Sequence, residues 1–305
     1  MRFSLALPHY GFSMPDGGPA TIDRIVDVAL HAEEAGFDAV AVSDHLFLDI
    51  RKYGGPSGRY ETPEAFALLA ALAERTDRIG LETLVLCVPF RNPAVLASQV
   101  RSLQDLCGGR FTCGLGAGWY EPEFEQAGIA FGTPGSRIAA LRQAAEVLHE
   151  ADVAPIWIGG KGGPKILESV VAHGDAWNVC WRAEPSWVAD RREVMRQIAR
   201  DRGRDPAELS VTVGLYTYLG RDEDDLAKRY EQLQAWSPGG LLNGVELERF
   251  ADGGAVGTID QVRSRIEAFA EAGASEIIVS LASLPFALAD PEQIDLVAEL
   301  AETLR

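Results

Sequence analysis

The chain has 305 residues, 47% of them apolar, and its 45 acidic against 28 basic side chains give a formal net charge of −17. That is enough apolar material for one large core or two ordinary ones. So acidic a surface repels phosphate backbones and anionic lipid, which argues against nucleic-acid or membrane partners and means that an anionic ligand needs a local positive site. No run approaches the roughly 18 apolar residues of a membrane span. The start, "MRFSLALPHYG", lacks the longer apolar stretch and small-residue cleavage site of a signal peptide. The four cysteines are scattered and read as reduced core thiols, so a cytoplasmic location is expected. The five histidines lie far apart and show no metal-ligand spacing.

In chain order, the strand candidates are "FSLALP" (3–8), "DAVAVS" (38–43), "ETLVLCV" (82–88), "FTCGLG" (111–116), "PIWIGG" (155–160), "DAWNVC" (175–180), "SVTVGLYTYL" (210–219) and "EIIVSL" (276–281). They are apolar on both faces, as strands buried on both sides of a parallel sheet must be. Helix patterns lie between them. "TIDRIVDVALHAEEAG" has Thr21 as cap, Asp23 in its first turn and Gly36 as its stop. "TPEAFALLAALAERT" has Thr62 as cap and Pro63 at the first helical position. One unit recurs, a helix ending in Gly, a polar step and a strand: "EEAGFDAVAV", "VAHGDAWNV", "AEAGASEIIV". Eight such strands predict an α/β fold, a closed (β/α)8 TIM barrel forming one domain over residues 1–305. The rival is an open doubly wound sheet, but the first strand runs into "PHYGFSMPDGG", which is not a dinucleotide-binding fingerprint. The long loops at about 44–61, 117–135 and 232–257 would all fall on the C-terminal face, where barrel enzymes keep their active sites.

"GGKGG" (159–163) ends the fifth strand and precedes a helix starting near Pro164. Bare amides at a helix N-terminus, with Lys161 and Lys165 beside them, form a phosphate site, and glycine allows the close approach. A flexible turn with solvated lysines is the plainer alternative. "GLGAGWYEPEF" (114–124) suits either a tight turn or backbone running close to a flat ligand. Asp44 and His45 end the second strand. His45 is placed either to shuttle a proton or to be a structural histidine tied to Asp44. His9 holds a similar place at the tip of the first strand. "TLVLCVPFRNP" would wall the barrel mouth.

Taken together, "AEEAGFDAVAVSDHLF", the run from "TLVLCVPFRNP" to "FEQAGIAF", "PIWIGGKGGPKILESVVAHGDAWN" and "VGTIDQVRSRIEAFAEAGASEIIV" resemble the luciferase-like monooxygenase superfamily, and within it the branch that uses the deazaflavin coenzyme F420. The resemblance implies a barrel, usually homodimeric, with FMN or F420 at its mouth and the coenzyme phosphate at Gly159, Gly160, Lys161, Gly162 and Gly163. It implies a non-prolyl cis peptide at Leu84–Val85 backing the ring, Asp44 and His45 beside the ring with His45 catalytic, and Gly116, Ala117, Gly118 and Trp119 bordering it. Cys180, Trp181 and Arg182 would line the phosphate end. Tyr120 stands where relatives commonly have Asn or His, and the step from the fourth helix to the fifth strand is short.

The implied activity is that of an oxidoreductase acting on a small molecule. F420 is preferred over FMN, which would instead support oxygen-dependent monooxygenation. A non-catalytic binder of either coenzyme is the remaining alternative. A Schiff-base aldolase is disfavoured, because none of the four lysines lies in a strand.

Overall fold

The computed structural model describes residues 1–305. Eight strands form the barrel: β1 (Arg2–Ala6), β2 (Ala39–Val42), β3 (Gly80–Thr83), β4 (Phe111–Gly116), β5 (Ile156–Gly159), β6 (Ala176–Trp181), β7 (Ser210–Gly220) and β8 (Glu276–Ser280). Each pairs in parallel with the next along the chain, and β8 returns to pair with β1, so the sheet closes. The open-sheet alternative is thereby excluded.

The two-sided apolar runs serve two different layers. Outward residues such as Phe3, Leu5, Val40, Leu81, Phe111, Ile158, Val179, Val213 and Ile277 pack under the surrounding helices in one large core. Burying each such side chain contributes about 1.5–3 kcal/mol, and this layer sets the stability of the barrel. Alternate residues point into the lumen and are mostly small, among them Ala6, Ala41 and Ala176, with Trp157 filling the space they leave. At the N-terminal end of the lumen, Ser4 Oγ donates to the Glu276 carboxylate. The Arg2 guanidinium lies 3.5 Å from Glu82 and 3.8 Å from Glu276.

Local signals set most helix ends. Gly36 stops the first helix, Ile22–Ala35, in the left-handed conformation at φ 89°. Thr133 and Thr258 each begin a capping box. The helix expected to start at Thr62–Pro63 begins later, at Ala65. Glu64 is the cap, because its carboxylate accepts from the Ala67 amide. The third strand also differs from the continuous 82–88 run: it breaks after Thr83 and resumes as Leu86–Cys87 against β4. The long loops carry structure of their own. Phe47–Leu48 pairs with Tyr60–Glu61, Glu121–Ala127 is a short helix, and Ala255–Thr258 pairs with the overrun of β7. No helix is long and apolar enough to cross a membrane.

Candidate active site

The C-terminal ends of the strands surround a cavity of about 690 Å³. One wall is built by the break in the third strand. The Leu84–Val85 peptide is cis, at the position the family resemblance implied for such a bond. Val85 projects against two strands that have given up their side chains to admit it. A β-carbon on Gly116 would fall 2.5 Å from Val85 Cγ2, and one on Gly159 would fall 3.1 Å from its Cγ1. The wall is therefore an apolar ledge with bare backbone on either side.

Beyond Gly159 the chain crosses the mouth. The Gly160 amide donates to the Asn178 carbonyl at 3.0 Å, and the Gly160 carbonyl accepts from the Trp177 indole at 2.8 Å. These bonds fix the start of the loop. The amides of Lys161, Gly162 and Gly163 donate to nothing within the protein. Helix Pro164–His173 follows directly, with Gly163 as a cap that supplies no side-chain acceptor. Three free N–H groups thus meet the positive end of a helix dipole, an arrangement suited to an anion. Gly162 has a second reason to be glycine: its φ is 62°, and a β-carbon would meet Trp177 at 2.9 Å.

The polar side of the cavity comes from β2 and the loop after β4. Asp44 accepts the Cys87 amide at 2.8 Å and forms a two-pronged ion pair with Arg91, which also reaches Glu64 at 2.7 Å. Both Asp44 and Arg91 are buried or nearly so, and each neutralises the other. His45 is not tied to Asp44. Its Nδ1 lies 2.6 Å from Glu123 Oε2, and the other oxygen of Glu123 accepts the Leu46 and Phe47 amides at 2.5 and 3.2 Å. Glu123 is buried. The carboxylate fixes the imidazole orientation and leaves Nε2 without a protein partner. His9, by contrast, is sealed inside. Its Nδ1 meets the Leu7 carbonyl and its Nε2 meets Ser43 Oγ, and burial lowers its pKa to about 3. It is a neutral structural histidine.

Aromatic side chains complete the mouth. Trp119 is partly exposed and stands edge-on to His45 with ring centres 5.7 Å apart. Lys52 lays its ammonium over the Trp119 ring, 3.5 Å from the centre. Trp181 and Phe286 meet edge to face at 5.4 Å. The Cys180–Trp181 peptide is a second cis bond that the sequence did not announce. Burial raises the Cys180 thiol to about 12, so it is not a nucleophile at neutral pH.

Asp44, His45, Leu84, Val85, Gly116, Ala117, Gly118, Trp119, Gly159, Gly160, Lys161 and Cys180 all line this one cavity. Gly162, Gly163 and Arg182 are not part of its lining. Gly162 is packed under Trp177, and Gly163 caps the helix beside the mouth. The Arg182 guanidinium donates to the carbonyls of Phe250 and Asp252. Sequence reasoning gave no role to Glu123 or Arg91. The only trace of Glu123 was its place in "GWYEPEF", just after the strand-four loop. No group of three or more His, Cys, Asp and Glu side chains is arranged to hold a metal ion.

The model of the luciferase-like monooxygenase family matches residues 1–276. An F420-dependent glucose-6-phosphate dehydrogenase of Amycolatopsis mediterranei is 39% identical over 127 residues, covering 41% of this chain and 36% of that protein. The protein of that name from Intrasporangium calvum is 40% identical over 270 residues, covering 75% and 77%. The aligned part of the chain thus spans little more than a third of the first of these relatives and about three quarters of the second. Among solved structures, an F420-dependent secondary alcohol dehydrogenase in complex with an F420-acetone adduct superposes with a TM-score of 0.77 at 21% identity, over 100% of this chain and 99% of that one. At that identity it speaks for the fold.

Proposed function

The chain belongs to the luciferase-like monooxygenase family, and from that premise we propose that it is an oxidoreductase that binds coenzyme F420 and exchanges hydride between the deazaflavin and a small organic substrate. The observation that carries this reading is the placing of an apolar ledge flanked by bare glycine backbone in a cavity that Lys161 lines, next to three free amides at the helix N-terminus beside its mouth. The first suits the phosphate of a coenzyme, the second a flat ring. The relatives named above as F420-dependent support the choice of coenzyme.

When bound, a deazaflavin supplies two-electron hydride chemistry. The chain's own residues have separate tasks. The amides of Lys161, Gly162 and Gly163, with the Lys161 ammonium, hold the phosphate. Val85 backs the ring, and the glycines at 116 and 159 let it lie close. Gly118 and Trp119 close the side of the site and exclude water. His45, oriented by Glu123, exchanges a proton with the substrate at Nε2. Asp44 contributes through Arg91 and the Cys87 amide, holding the resumed third strand in place. Resemblance to the family further supports one domain over residues 1–305, a homodimer and a cytoplasmic setting.

FMN carries the same anionic handle and is the competing coenzyme. Titrating the purified protein separately with F420 and FMN, and following coenzyme fluorescence, tests the reading. Tighter binding of F420 supports it. Tight binding of FMN without measurable binding of F420 overturns it.

A further inference from the structure

Every ion pair in the structure is made by an arginine or a histidine, and none of the four lysines meets a carboxylate. In a chain with 45 acidic side chains, that is a local arrangement rather than a shortage of partners. Two of these lysines, Lys52 and Lys161, line the cavity. Lys52 comes from the loop after β2 and reaches over the mouth. Its ammonium rests on the face of Trp119, whose ring stands T-shaped to that of His45 with centres 5.7 Å apart. Burial, and then the neighbouring charge of Lys161, push the Lys52 pKa down. The negative charges on this side are already matched: Asp44 is held by Arg91, and Glu123 by His45 and two amides. An ammonium held on an aromatic face at the rim of the cavity, set near a like charge and left without a counter-ion, is a ready partner for an anion from outside.

We propose that Lys52 binds an anionic group, a carboxylate or phosphate, on the substrate, so that the substrate is a small anion with its charged end at the rim and its reacting end at His45. This rests on the oxidoreductase reading, in which Lys161 and the loop amides are occupied by the coenzyme. Trp119 then serves both ends: its face seats the ammonium and its ring borders the imidazole.

The test uses two matched pairs of probes, glucose 6-phosphate with glucose and 3-hydroxybutyrate with 2-butanol, titrated by calorimetry into F420-loaded and bare protein. The anionic member of at least one pair is expected to bind about tenfold tighter than its neutral partner. Lys52→Met should erase that preference, and Lys52→Arg should keep it. F420 affinity should stay within about twofold in both variants. Equal binding of both members, or no binding of any probe, overturns the proposal. So does a Lys52→Met protein that loses F420 affinity while keeping the preference, since the ammonium would then belong to the coenzyme. F420 binding to the unaltered protein is measured first. Its absence counts against the coenzyme reading, while the bare-protein titrations still decide the fate of Lys52.

Discussion

Nδ1 of His45 stands 2.6 Å from Oε2 of Glu123, across 78 positions of sequence. The pair couples the end of β2 to the short helix after β4, and it is the one place where the cavity holds a histidine nitrogen free to exchange a proton. Glu123→Gln keeps the shape but exchanges an ionised acceptor for an amide that can present either end to the ring. We expect turnover to fall about 10- to 100-fold, in line with the loss of an oriented general base, while F420 affinity changes less than about threefold. Steady-state kinetics with a coenzyme titration on the same preparation check this. Equal losses in turnover and affinity would make Glu123 a folding residue. His45→Ala should show the same split.

The Val85 ledge makes a second prediction. Gly116→Ala forces a methyl into the space Val85 occupies, with 2.5 Å available. Val85 must move toward the cavity, at a stability cost of about 1–3 kcal/mol by overpacking. Coenzyme binding should weaken in parallel. Val85→Ala in the Gly116→Ala background should restore part of both, which melting and titration of the two variants will show.

His9 sets an acid limit. Its folded pKa is about 3 because burial disfavours the charged form, whereas the unfolded side chain titrates near its ordinary value of 6.5. Between those values the unfolded chain binds a proton that the folded one does not. Stability therefore falls as pH drops from about 6.5 toward 3, with a limiting slope of about 1.4 kcal/mol per pH unit from this group. His9→Gln should flatten the acid limb of the stability curve by that one-proton slope. Chemical denaturation at pH 7, 6, 5 and 4 reads it directly.

Glu82 works in the opposite sense. It is fully buried and faces Glu276, and burial followed by that neighbour raises its pKa well above the carboxylate range. The unfolded carboxyl loses its proton near pH 4.3, so the cost of keeping Glu82 protonated grows as pH rises from there toward the folded pKa. Glu82→Gln should stabilise the protein at pH 8 relative to wild type, and more at pH 8 than at pH 5. Melting temperatures at the two values suffice. A variant that destabilises equally at both would show that the ionised form is the native one.

The strands were readable from the sequence because a barrel strand is buried on both faces, so runs such as "EIIVSL" and "SVTVGLYTYL" appear as unbroken apolar stretches. The glycine loop ahead of a helix was readable for a similar reason: glycine density and a following Pro164 are local signals. The partner of His45 was not. Asp44 is its chain neighbour, yet consecutive residues leaving a strand point to opposite sides, and the acceptor came from a helix 78 positions on. The partners of Arg182 were hidden for a related reason: adjacency to β6 does not reveal that distant carbonyls near Phe250 accept from its guanidinium. The break in the third strand was legible only through resemblance, since "ETLVLCV" reads as one continuous strand.

The central claim is that the free amides ahead of helix Pro164–His173 grip an anionic coenzyme, and Gly163 is the position to test it. Gly162 is unsuitable, because its positive φ and its contact with Trp177 would confound any substitution. Gly163 has φ −66° and open space where a side chain would project. Gly163→Asp places a carboxylate at the helix cap, where it should leave stability unchanged or raise it by a few tenths of a kcal/mol. There its charge would sit beside the free amides of Lys161, Gly162 and Gly163 and repel a phosphate. We predict that F420 affinity, measured by fluorescence titration, falls about 30-fold or more in Gly163→Asp and much less in Gly163→Asn, with both proteins melting at or above the wild-type temperature. A folded Gly163→Asp protein that binds F420 as tightly as wild type would contradict the account.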